Sequence, residues 1–206
     1  MTQQKESVVT SERFAAGLTW SQYFNENVQR NREKFQYNYD ETTLTADDAA
    51  AFKRLAQTPG GPARVLALGE DWCPDVFRGL PVMVHIAEAA GMELRIFPRD
   101  DNVDIMTEFL NHGDSQSIPT FVFYTADHRY IAHWIERPAK ANAEMGDVMK
   151  RSEGLDRSNP DDLLKLRQIS NEFQTGPIWA NWRDETVREI RALLEEKCGA
   201  QGHGPD

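Results

Sequence analysis

With 206 residues, 40% of them hydrophobic, the chain can bury a substantial core, and one domain with additions is expected. Its 23 Lys and Arg against 33 Asp and Glu leave a net charge of −10, which argues against a phosphate backbone or an anionic membrane surface as partner. No run approaches the roughly 18 apolar residues of a spanning helix and the first residues lack an apolar leader, so a cytoplasmic protein is expected.

In chain order, residues 1 to about 18 show no period and read as a loosely held arm. Trp20, Tyr23, Phe24, Val28 and Phe35 then recur at helical spacing, which predicts one amphipathic helix from Thr19 to Tyr37. Thr45 with Asp48 resembles a capping box ahead of a second helix carrying Ala49, Phe52 and Leu55. After the turn Pro59-Gly60-Gly61-Pro62, the run Val65 to Gly69 predicts a buried strand.

Cys73 follows at a helix N-cap, with Pro74 at N1, where its missing N–H costs nothing. Val76, Leu80, Val84 and Ala87 carry that helix to a Gly91 cap, with a kink expected at Pro81. Met92 to Phe97 predicts a strand, and Asp101 or Asn102 starts a helix bearing Val103, Met106, Phe109 and Leu110 up to Gly113. Ile118-Pro119-Thr120 leads into Phe121 to Tyr124, which turns at Ala126 to His128 into Tyr130 to Ile135 as an antiparallel hairpin. A helix from Pro138 to Lys150 completes a β-α-β-α-β-β-α order, which implies an α/β fold with a mixed sheet and helices on both faces. Beyond a polar connector, Asn159-Pro160-Asp161-Asp162 starts a helix with Leu163, Leu166, Ile169 and Phe173 on one side. A last helix, about 179 to 198, sets Trp179, Trp182, Val187, Ile190 and Leu194 on one face. These Trp residues are expected either to pack on the sheet or to form a partner surface. The organisation is thus an N-terminal arm and helical extension (1–62), an α/β core (63–151) and a C-terminal helical extension (152–206).

Chemistry concentrates at Trp72-Cys73-Pro74-Asp75-Val76. A cysteine at a helix N-terminus meets free backbone N–H groups and the positive end of the dipole, both favouring thiolate, and the N–H groups over Cys73 to Asp75 are expected to supply this. Glu70, Asp71 and Asp75 oppose it by like charge. Asp75 itself is expected to stabilise the dipole or move a proton, and Trp72 to shield the sulfur. The other cysteine, Cys198, ends an apolar face. The two give no disulfide framework and no metal spacing, and none of His85, His112, His128, His133 and His203 supplies one, so no metal site is expected. His85 is expected on a solvated helix face.

Together these features resemble the thioredoxin superfamily over residues 63–150. Trp72-Cys73 matches its Trp-Cys-x-x-Cys motif, Pro81 its helix-kinking proline, and Ile118-Pro119-Thr120 its cis-proline loop. Glu70-Asp71-Trp72-Cys73-x-Asp75, with the aromatic helical extension, is most similar to a bacterial subgroup of thioredoxin family proteins. The resemblance implies a thioredoxin-like fold with Cys73 as nucleophile and Ile118, Pro119 and Thr120 as the peptide-binding edge. Two positions depart from it: Val76 replaces the resolving cysteine, and Ala67 the buried aspartate. A single thiol in such a setting implies a monothiol disulfide oxidoreductase without bound metal or organic cofactor. It would act on a protein or low-molecular-weight thiol or disulfide, and an external thiol such as glutathione would complete its cycle. Cys198 is weighed as a distant resolver. The rival reading is a non-catalytic binding or assembly module using the groove beside Pro119.

Overall fold

Strand β1, Arg64–Gly69, is buried almost throughout because both of its faces are covered, and a near-continuous Val-Leu-Ala-Leu run is what such a strand requires. It lies beside β2, Glu93–Pro98, in parallel, and beside β3, Thr120–Tyr124, antiparallel; β3 pairs antiparallel with β4, Tyr130–Ile135. The order β2-β1-β3-β4 makes a four-stranded mixed sheet, the thioredoxin-like arrangement expected. The computed structural model describes residues 7–199. None of the described helices is long and apolar enough to cross a membrane.

Helix α5, Pro74–Ala90, joins β1 to β2 and ends on Gly91 in the left-handed region, as the cap signal requires. Pro81 lies within this helix. Between Asp75 and Ala90 only His85, Glu88 and Ala89 are not buried, so one side of α5 rests on the sheet and the other needs a second cover. Helices α3 (Arg32–Asp40), α4 (Ala46–Gln57) and α9 (Pro177–Gly199) provide it, sharing one continuous core with the sheet through Phe35, Phe52, Trp179 and Trp182. Asn38 of α3 clamps this layer: its Oδ1 accepts from Trp179 Nε1 at 2.8 Å and from Arg183 Nη1 at 3.0 Å. Thr45 caps α4 as expected, its Oγ1 accepting from the Asp48 N–H. Helices α7 (Ala139–Lys150) and α8 (Pro160–Gln174) lie outside, α8 capped by Asn159.

Three expectations are corrected. Of the loose arm, residues 1–6 lie outside the described part, but residues 7–18 are docked. Helix α1 (Ser11–Ala15) buries Phe14, Val9 is buried beside it, and Leu18 bridges Ile96 on the open edge of β2. Isolated apolar residues did this, without any period to betray them. The helix over Thr19–Tyr37 is interrupted: α2 (Trp20–Gln22) runs into a π turn (Tyr23–Asn27), and Asn31 adopts φ 55° before α3. At the break the Asp71 carboxylate accepts from the Gln29 and Arg30 N–H groups at 2.8 and 2.7 Å, replacing helical partners. The helix after Asn102 is α6, only Val103–Met106: Asn102 turns its side chain to Arg13 and the Pro98 carbonyl instead of capping, and the chain passes into i→i−3 turns at Glu108 and Phe109.

The docked segment makes Phe14→Ala a direct test. Removing this buried ring should cost roughly 3–5 kcal/mol in urea unfolding, whereas a loose arm would show almost no change.

Candidate active site

Cys73 occupies the N-cap of α5 with extended backbone (φ −87°, ψ 124°), at the end of the sheet where β1 stops and β3 begins. Its Sγ is half-buried and donates to the Ile118 carbonyl at 3.6 Å; the Ile118–Pro119 bond is cis. The structure therefore brings Trp72, Cys73, Pro74, Asp75 and the loop Ile118, Pro119, Thr120 to one place. Gly79 permits this closeness: a Cβ there would stand 3.2 Å from Pro119 Cγ. Val76 is buried and packs on Gly69, where an added Cβ would lie 2.8 Å from its Cγ1.

The expected edge is narrower than its sequence suggests. Ile118, Pro119 and Thr120 are all buried, the Pro119 carbonyl accepts from the Glu136 N–H at 2.7 Å, and Thr120 Oγ1 donates to the Ser117 carbonyl. Only the Ile118 carbonyl is turned to the sulfur. Trp72, by contrast, is 44% exposed and stands open beside the cysteine, with the Arg99 guanidinium 5.4 Å from its ring.

Asp75 is not a solvated first-turn acid. It is buried between two arginines, Arg78 at 2.7 Å and Arg137 at 2.8 Å. Arg78 has no solvent exposure at all and lies 4.9 and 5.3 Å from the Trp179 and Trp182 rings. Its Nη2 lies 2.7 Å from Asp75 Oδ1, and that carboxylate is what holds the desolvated guanidinium charged. Glu136 contacts Arg137 in turn, holding a left-handed φ of 70° just after β4. Arg78, Arg137, Glu136 and the buried Tyr23 near the cysteine are site residues that sequence reasoning missed. One signal was available, since Arg78 is the single charge within the apolar run Val76 to Val84. Arg137 and Tyr23 come from distant segments and gave none.

The balance of forces on the sulfur corrects the expected activation. Burial pushes the Cys73 thiol up and the Asp75 carboxylate adds to this, while the Val76 and Asp75 N–H groups and Arg137 pull it down without prevailing. The donors are Asp75 and Val76 because Pro74 has no N–H to give. Cys198 cannot assist. It is buried near the end of α9, where Lys197 lies close enough to Tyr130 to act on its phenol. Tyr130 belongs to the far end of the sheet, a strand's length of roughly 16–20 Å from Thr120, whereas a disulfide needs Cα atoms within about 7 Å.

Trp179 and Trp182 are buried against α5 and offer no partner surface. His85 is half-buried, donating from Nε2 to the Tyr39 carbonyl at 2.9 Å rather than facing solvent. Among the described residues, no three His, Cys, Asp or Glu side chains converge as a metal ion would require; His203 lies outside them.

A family model described as thioredoxin matches residues 17–150, so the matched region includes the helices before β1 as well as the sheet. No curated protein matches. A solved Pseudomonas aeruginosa protein of unknown function is similar in structure, with TM-score 0.64 and 14% identity over 91% of this chain and 98% of its own. An HIV 4E10 epitope scaffold is similar at TM-score 0.61 and 16% identity, over 93% and 99%. At those identities the likeness is one of fold.

The charge arrangement leads to two expected outcomes. Iodoacetamide should alkylate Cys73 more slowly at pH 7 than it does free cysteine, with the rate rising through an inflection above the ordinary value near ~8.5; a faster reaction than free cysteine contradicts the burial argument. Asp75→Ala, which strands Arg78, should cost roughly 3–5 kcal/mol in urea unfolding, and pairing it with Arg78→Met should recover much of that loss.

Proposed function

The chain belongs to the thioredoxin family, and on that premise we propose that it is a monothiol-type thiol–disulfide protein acting through Cys73. One observation carries this reading: the Cys73 sulfur sits half-buried at a helix N-terminus, 3.6 Å from the Ile118 carbonyl of the cis-proline loop, with Val76 in the place of a resolving thiol.

The Cys73 thiolate attacks one sulfur of a disulfide R–S–S–R′, forming Cys73–S–S–R and releasing R′S⁻, which takes up a proton. With no second thiol in reach, an outside thiol must then attack the R sulfur, returning the Cys73 thiolate and leaving R joined to that thiol as a new disulfide. Trp72 walls the open side of the sulfur and Asp75 sets the local charge. Ile118, Pro119 and Thr120 shape the surface that a partner must approach. The partner is a protein or a small thiol or disulfide, glutathione serving as co-substrate, and the chemistry calls for no bound metal or organic cofactor. A reducing compartment such as the cytoplasm suits it.

The raised thiol and the internally used Pro119 carbonyl favour a second reading, a non-catalytic thioredoxin-fold module that binds partners beside Cys73. Incubation with glutathione disulfide separates the two. Intact mass should show one glutathionyl group on the wild-type protein and none on Cys73→Ser, with full release by added glutathione; no adduct even at high pH leaves only the binding role. Val76→Cys should convert the adduct into an internal disulfide and release glutathione without outside thiol.

A further inference from the structure

Helix α8 carries Leu163, Leu166, Ile169 and Phe173 at spacings of three, three and four, yet the fold leaves that stripe only half-buried. Phe173 is used, packing edge-on to Trp179 and Trp182 at 5.2 Å each. The remaining three, with Val148 and Met149 of α7, line an open groove of about 500 Å³. Met149 at its wall is 65% exposed, and Leu164, the next residue along α8, is 62% exposed. A chain of net charge −10 would be expected to surround such a groove with acids. It does not: the charged lining residues are Lys34, Arg157 and Arg167, and no Asp or Glu is among them. Among the described residues, none of these three cations pairs with a carboxylate within 4.0 Å. Lys34 instead lies over the Phe77 ring at 5.1 Å, partly withdrawn from water. Lys34 and Asn171 also line a second cavity that reaches Asn31, whose side chain holds the Asp71 carbonyl next to Trp72.

We propose that the α7–α8 groove is a docking site for an acidic amphipathic helix of a partner protein. Two parallel needs define the occupant. Apolar walls supplied by two helices accept a third helix through side chains at i, i+3, i+4 and i+7, and the stripe from Leu163 to Phe173 spans about 15 Å, roughly three turns. Three cations with no carboxylate in direct contact, around an apolar floor, select carboxylates on the flanks of that helix, and against the acidic remainder of the surface they give it one orientation of approach. The site uses no atom of Cys73, so it is measured on Cys73→Ser protein and stands or falls separately from the thiol chemistry.

The probe is a fluorescein-labelled synthetic helix with Leu at i, i+3, i+4 and i+7 and Glu elsewhere, compared by anisotropy with its Lys counterpart. Saturable binding of the Glu peptide is expected, at least about tenfold tighter than the Lys peptide and weakened several-fold by added salt. Arg157→Glu with Arg167→Glu, and separately the surface change Met149→Glu, should each weaken it by about tenfold or more with the thermal melt unchanged. Absent binding of the Glu peptide, equal binding of both peptides, or indifference to these substitutions overturns the proposal. So does a wild-type dimer in light scattering that Met149→Glu converts to monomer, which would make a second copy the occupant.

Discussion

Helix α5 has sheet on one side and helices on the other, and it nevertheless carries a guanidinium. A charge with no access to water must be neutralised close at hand, and for Arg78 the only carboxylate within ion-pairing distance among the described residues is Asp75, one turn earlier. This constraint propagates. Asp75 must be buried to reach Arg78, so it cannot be the solvated first-turn acid that its position suggests, and it lies two residues from Cys73. The group that keeps Arg78 in the core therefore acts against ionisation of the cysteine, and Arg137, fastened by Glu136, supplies the opposing charge.

The same constraint explains the shape of the terminal helices. Indole faces are good neighbours for a desolvated guanidinium, and Trp179 and Trp182 meet Arg78 in that way while Asn38 fixes Trp179 from the other side. The terminal helices are thus the second wall of α5. At the Cys73 end the start of α3 reaches only as far as Asp71, where Asn31 holds the carbonyl, and Trp72 stays open to solvent.

What the sequence made legible was whatever is local. Thr45, Asn159-Pro160, Cys73-Pro74 and Gly91 marked helix ends because caps act over three or four residues, and the hairpin and its cis-proline approach lay in one stretch. The docked segment before residue 19 was illegible, since Val9, Phe14 and Leu18 owe their burial to partners far along the chain. The broken helix was misread because the acceptor that breaks it, Asp71, is some forty residues away. The site was half legible for the same reason: Cys73, Trp72 and Pro119 stand in recognisable strings, whereas Arg137 and Tyr23 are recruited by the fold. Arg78 was readable as an anomaly but not as a cause.

The chemistry of the sulfur comes from these pieces acting together. A thiol whose ionisation is disfavoured attacks a disulfide slowly at neutral pH, and by the same preference it is a poor leaving group once bonded in a mixed disulfide. Val76, packed over Gly69, removes the internal thiol that would expel the partner. If Cys73 reacts as proposed, its burial, the nearby Asp75 charge and the missing resolver push in one direction, toward a covalent complex that forms reluctantly and persists. On the reading proposed for Cys73, the geometry is that of a protein that holds a thiol partner rather than one that turns disulfides over rapidly, and the partner's own contacts must supply the rate that the isolated cysteine lacks.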